Sequence, residues 1–222
     1  MVIVLPIKGV LKHMRLQVNS MRWLRCFAVS VFCLSVTALA LRPIRAEDPD
    51  AGLSFPRTVL IIRHGEKPPE GDESVHLSKQ GEQRAAALHE LFERSEKRPK
   101  PFPVPDDVFA TAATKHSKRP IEIVKLLVDL LRLPFNKEYD DDDFKKVAKE
   151  IFHSKKYEGK TILICWHHGK IPELARALKV VDAPGKWKDP VFDRVWQITY
   201  DATGKATFAD RPQRLLPGDS KE

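Results

Sequence analysis

Two six-residue stretches, TVLIIR at residues 58–63 and TILICW at residues 161–166, are apolar at consecutive positions rather than at every second one. Successive side chains of a strand point to opposite faces, so a strand apolar on both faces must be covered from both sides. Both stretches therefore read as central strands of a sheet with helices packed above and below. The rest of the chain supplies those helices. HLSKQGEQRAAALHELFER (76–94) offers Ser78 as an N-cap, with Ala85, Leu88 and Phe92 along one face. DVFAT (107–111) reads as a short strand. Residues 117–133 place Ile121, Val124, Leu127, Val128 and Leu131 at helical spacing, with Pro120 in the first turn. DDDDFKKVAKEIFHSKK starts with acids and ends with cations, as a helix dipole favours. IPELARAL (171–178) reads as another helix. VWQITYD and KATFAD read as a terminal strand pair joined through Thr203-Gly204. Strands alternating with helices predict an α/β three-layer sandwich with a mainly parallel sheet and helices on both faces.

The charge of the chain is unevenly placed. Of a formal net charge of +8, the first 46 residues hold +7, because they contain seven Lys or Arg and no Asp or Glu. Residues 47–222 are then nearly neutral, which argues against a nucleic-acid partner for the folded part. MRWLR from Met21, an uncharged run over residues 26–41 and a small residue at Ala46 before acidic residues follow the order of an export signal. The expected organisation is an upstream extension (1–20), a signal peptide or N-terminal anchor (21–46), a polar linker (47–56) and one domain (57–222). The protein is expected to be exported, periplasmic or secreted, and membrane-anchored through residues 26–41 only if the segment is uncleaved. Cys165 is the one cysteine beyond the leader, so no internal disulfide is available to that domain.

Both central strands end in the same way. TVLIIR leads into His64-Gly65, and TILICW leads into His167-His168-Gly169. In open α/β sheets ligands collect outside the carboxyl ends of the strands, so the two loops are expected to face one crevice. Arg63 arrives there with them, and Arg119, opening the helix after DVFAT, is placed to reach the same edge. Arginine forks suit phosphate oxygens, and glycine turns such as Gly65 add backbone N–H donors. A neutral imidazole can attack phosphorus while a second, protonated one offsets charge on the equatorial oxygens. The combination points to phosphoryl transfer.

TVLIIRHGEKP, HLSKQGEQRAAAL, VFAT with SKRPIEI, and TILICWHHGKIPEL, in that order over roughly residues 57–210, resemble the histidine phosphatase (phosphoglycerate mutase-like) superfamily. The resemblance implies His64 as a nucleophile that becomes phosphohistidine, Arg63 and Arg119 as phosphoryl ligands, and His168 as the second histidine, with His167 competing for that place. About four residues are inserted before Arg119. Glu66 falls where RHGE members carry a carboxylate near the nucleophile and is the first choice for general acid, with Glu70, Asp72, Glu73 and Asp107 as alternatives. EKPPEG replaces the serine or threonine, tryptophan and asparagine with which the mutases continue, and their glutamate-tyrosine segment has no counterpart. Hydrolysis is thus expected over phosphate exchange, with no cofactor or metal, on a phosphorylated small molecule or phosphoprotein.

Other motifs fail on chemistry. Cys165 lacks the arginine six positions on that a cysteine-dependent phosphatase needs; Ile171 stands there. GKT at residues 159–161 precedes a strand, whereas a phosphate-binding loop follows one. The acidic run at 140–143 lacks the glycine and closing glutamate of a calcium loop and reads as a helix start. The rival from a different class is a phospho-ligand-binding module without turnover, and a mutase is a third reading.

Overall fold

The computed structural model describes residue 50 and residues 52–221. The expected extension and leader lie outside the described residues. Six strands form one sheet: β1 (Thr58–Arg63), β2 (Asp107–Thr111), β3 (Phe135–Tyr139), β4 (Thr161–Trp166), β5 (Arg194–Tyr200) and β6 (Ala206–Pro212), in the order β3-β2-β4-β1-β5-β6. The first four run parallel, and β5 and β6 are antiparallel to their neighbours. Thr58 pairs with Thr161 and Arg63 with Trp166, so the two apolar runs lie side by side in full register. Every residue of β1, β2 and β4 is buried.

Helices cover both faces. On one face, α1 (Lys79–Ala87) continues into a 3-10 turn to Phe92 and packs with α2 (Arg119–Leu131), so that Leu88, Leu91, Ile123, Val124 and Leu127 meet Leu60, Ile62 and Leu163. On the other face, α3 (Phe144–His153) and α4 (Ile171–Ala177) bring Val147, Ile151, Leu174 and Leu178 onto Val59, Ile61, Ile162 and Ile164. The three layers follow from sheet strands that are apolar on both sides. Ser78 caps α1 as expected, its hydroxyl accepting from Gly81 N at 3.2 Å.

Three features depart from the sequence reading. β3, FNKEY, was not expected, because it is a half-exposed edge strand whose composition is polar. The acidic run opens a 3-10 turn, Asp141–Asp143, and α3 begins only at Phe144. Within the segment read as a linker, Leu53 and Phe55 pack on the core, and the Phe55 ring lies 5.4 Å from Phe152 and 5.9 Å from Tyr200.

Candidate active site

Because β1, β2, β3 and β4 are parallel, their carboxyl ends share one edge, and each delivers part of the site. β1 ends at Arg63 and passes directly to His64, with 1 % and 2 % of their surface exposed. Gly65 follows without a left-handed backbone; what it supplies is space. A Cβ there would sit 3.0 Å from Ile123 Cδ1 and from Leu77 Cδ2 and 3.2 Å from Gly81 Cα. Its carbonyl accepts the Nδ1–H of His64 at 2.7 Å. That bond fixes the imidazole as the Nδ1–H tautomer and leaves the Nε2 lone pair unprotonated. Burial, outweighing the Gly65 bond, lowers the His64 pKa to about 3, with Arg63, His167 and Arg119 adding to the effect. The ring is neutral through the physiological range.

β4 delivers the two remaining histidines, and they differ. The His167 ring centroid lies 5.3 Å from that of His64, and the His168 centroid 6.1 Å. His168 is spoken for at both nitrogens: Nε2 donates to Asp189 Oδ1 at 2.6 Å, and Nδ1 accepts from Arg63 at 3.3 Å. A ring nitrogen accepting from a guanidinium carries no proton, which corrects the expectation of a protonated His168 facing the ligand. His167 has no such clamp. Burial, then Arg119, His168, Arg63 and Lys67, lower its pKa to about 4.

The arginines are likewise placed differently from the simplest expectation. Arg63 Nη1 donates to the carbonyls of Asp189 at 2.5 Å and Val191 at 3.1 Å, and its guanidinium lies 3.9 Å from the Phe192 ring centre. Part of its function is thus to fasten the loop 186–192 over the site. Burial lowers its pKa to about 10, against the opposing pull of Asp189 and Glu66. Arg119 Nη1 donates to Ser74 O at 3.0 Å. The inserted residues before it form a turn, with Thr114 N bonded to Ser117 O and Lys118 N to Val75 O, each at 2.9 Å. In both arginines Nε is buried and finds no acceptor among the described residues, and the same holds for the hydroxyls of Thr111 and Ser117 at the end of β2 and in the loop beyond it. Buried donors normally find partners. Four orphaned donors at one sheet edge, together with Asp141 Oδ1, which likewise finds no hydrogen bond among the described residues, leave that edge able to hold an acceptor-rich ligand.

Glu66 lines the cavity beside the site, but its carboxylate is committed to a partner. Its Oε1 accepts from Arg84 at 2.7 Å and its Oε2 at 3.1 Å. Both oxygens are thus engaged by one guanidinium, which leaves neither turned toward the ligand. Asp107 is also excluded, because it opens β2 at the opposite edge of the sheet and pairs with Lys156 at 2.7 Å. Glu70, Asp72 and Glu73 line an open cavity of about 650 Å³ beside the site, which shares Arg119 and Phe192 with it.

A carboxyl group at this edge that the sequence reading passed over is Asp141. Trp166, the last residue of β4, donates its indole N–H to Asp141 O at 3.0 Å and so holds the 3-10 turn against the strand end. Asp141 Oδ1 lies 3.7 Å from His167 Nε2. Burial and the neighbouring Asp142 raise the Asp141 pKa to about 6, against the pull of Lys170. The signal available was the position of the acidic run just after β3; without that strand, nothing placed the run at the ligand edge.

Among solved structures, the chain matches a protein histidine phosphatase, SixA, complexed with tungstate, at 17% identity and a TM-score of 0.43 over 70% of this chain and 97% of that one. It matches a mycobacterial glucosyl-3-phosphoglycerate phosphatase at 12% identity and 0.42, over 70% and 97%. It also matches a phosphoglycerate mutase from Bacillus anthracis at 15% identity and 0.44, over 71% and 93%. These are members of the histidine phosphatase superfamily. No protein-family profile and no curated protein matches the chain. At these identities and scores the functional reading rests on the chain's own site.

Proposed function

We propose that the protein is a phosphatase of the histidine phosphatase type, which hydrolyses a phosphomonoester or phosphoprotein through phosphohistidine at His64. The observation that carries this reading is the state of His64: a buried, neutral imidazole with Nδ1–H committed to Gly65 O and Nε2 free, beside two arginines with an unused Nε–H each. In the first step Nε2 attacks phosphorus, the P–N bond forms and the P–O bond to the leaving group breaks. The leaving oxygen takes a proton from Asp141. In the second step water attacks phosphorus as the P–N bond breaks and its electron pair returns to Nε2; the water gives a proton to the Asp141 carboxylate, and inorganic phosphate leaves with His64 neutral. Arg63 and Arg119 offset the negative charge of the transferred group, and His167, the unclamped ring, faces it as a neutral hydrogen-bonding partner. The leader sequence supports an extracytoplasmic substrate.

Incubation with p-nitrophenyl phosphate across pH 4 to 8 tests the reading. Release that disappears in His64→Ala, together with an acid-labile, alkali-stable phosphate mapped to His64, is the expected result; absence of both sinks it. The pairing of Glu66 with Arg84 keeps a second reading in view, a phospho-ligand-binding module. Such a module would bind orthophosphate with no mutation-sensitive turnover.

A further inference from the structure

The most thoroughly bonded buried charge beside the site is Arg84, in the middle of α1. Its Nη2 donates to Glu66 Oε1 at 2.7 Å and to Asp219 Oδ1 at 2.8 Å, and its Nη1 to Asp219 Oδ2 and Gln213 Oε1, each at 3.0 Å. Two of these partners come from the chain's last ten residues. Asp219 in turn accepts from Leu215 N at 2.8 Å and Leu216 N at 3.0 Å, closing a turn whose Leu215 side chain is buried in the core. Gln213 is bonded to Asp193 O through its amide and to Arg194 O through its side chain. The tail is therefore fastened from both sides before it reaches Arg84.

We infer that Asp219 is a positioning residue for His64, acting through Arg84 and Glu66 on the carbonyl that orients the nucleophile. The links are short. The Gly65 carbonyl belongs to the peptide group shared with Glu66, so whatever holds Glu66 sets that plane. Glu66 is held by its side chain on Arg84 and by its own carbonyl, which accepts from Ser78 N at 3.0 Å. Gly81 lies close against both peptides of Glu66, since a Cβ there would stand 3.1 Å from Glu66 N and 2.8 Å from Glu66 O. Without Asp219, the guanidinium loses two of its five carboxylate contacts, keeps its three bonds to Glu66 and re-settles on the tail's vacated side, drawing Glu66 with it. The Gly65 plane then turns, the 2.7 Å bond to His64 lengthens, and Nε2 no longer points at phosphorus. An isolated structural tie would only hold the tail down; this one ends on the tautomer of the catalytic ring.

The test uses Asp219→Ala and Asp219→Glu in the full chain, with wild type alongside. For Asp219→Ala the expected result is a kcat lower by about 10–100-fold, by analogy with residues that orient metal-ligating histidines through a second hydrogen bond, with KM little changed and activity largely restored by Asp219→Glu. Nitrogen-15 spectra of the His64 ring supply the readout that a merely structural tie would not move: the Nδ1–H, Nε2-unprotonated pattern of wild type is expected to become mixed. A folded Asp219→Ala protein with wild-type kcat and ring spectra overturns the inference. If Asp219→Ala does not fold, Arg84→Lys, which keeps the charge and loses the fork, must show the same mixed ring spectrum, and an unchanged one is equally decisive. The kinetic arm rests on the phosphatase reading, whereas the ring spectra do not. A protein without turnover would thus count against that reading while the spectra still decide this one.

Discussion

Arg63 and Arg84 are both buried arginines within reach of the same loop, and they are treated in opposite ways. Arg84 is saturated by carboxylates: burial opposes its charge, but bonds from Asp219 and Glu66 outweigh that and raise its pKa. Arg63 faces backbone carbonyls, an aromatic ring and an imidazole, keeps an unmatched Nε–H, and has its pKa lowered. A charge answered within the fold contributes to structure. A charge left partly unanswered is a receptor, and the difference separates the scaffold of this site from its working surface.

The comparison can be broken in several ways. The largest effect is expected on the working side, where His64→Ala should remove phosphatase turnover, a loss of about 10⁴-fold or more if covalent catalysis is the route. A substantial residual rate would move the nucleophile elsewhere. Next, Asp141→Asn should cost about 10²–10⁴-fold in kcat, the usual range for a general acid. Because Asp141 must be protonated to act and its pKa is about 6, wild-type kcat should fall above that pH, and this limb should vanish in the variant. A pH profile unchanged by the substitution removes Asp141 from the mechanism.

On the scaffold side the effect should appear in stability. Arg84→Met leaves Glu66 and Asp219 buried without their cation and should cost about 3–5 kcal/mol in denaturant unfolding. Arg63→Met, which abandons carbonyls rather than carboxylates, should cost less stability and more activity. If the two variants trade places, the distinction between scaffold and receptor is wrong. Gly81→Ala, forcing a methyl against the Glu66 peptide, should cost about 1–3 kcal/mol.

A further effect on stability is graded with pH. His64 and His167 titrate near 3 and 4 in the folded protein and near 6.5 when unfolded, so the unfolded state binds more protons between these values. Folding stability should be full above pH 6.5 and decline as pH falls, by at most about 1.4 kcal/mol per unit for each ring. Saturating orthophosphate, whose charge favours the protonated rings, should flatten that slope. A stability curve indifferent to phosphate would leave the orphaned donors without a ligand.

The parts of the molecule that the sequence displays are those where burial leaves no choice. TVLIIR and TILICW must be covered on both faces, and that alone places His64, His167 and His168 at one edge. Residues 117–133 show their apolar face at helical spacing for the same reason. What stayed hidden depends on pairings between distant segments. FNKEY reads as polar because it is an edge strand, and missing it hid Asp141. Arg84 looks like any helix arginine until Asp219, 135 positions later, is seen against it. Glu66 was judged by its place in the RHGE motif, whereas its partner, Arg84, lies in the following helix. The choice between His167 and His168 turns on Asp189, which no local pattern connects to them.

The fastening of residues 186–192 by Arg63 also bears on how such a protein diversifies. Three carbonyls of that segment, those of Lys188, Asp189 and Val191, take their bonds from Arg63, so under the proposed reaction insertions or deletions there would disturb the arginine and be removed by selection. The opposite wall, residues 67–74, is exposed along most of its length, and Arg119 reaches it through Ser74 O. Drift in substrate preference among descendants of this sequence should accordingly accumulate in one wall, while the other remains nearly constant in length.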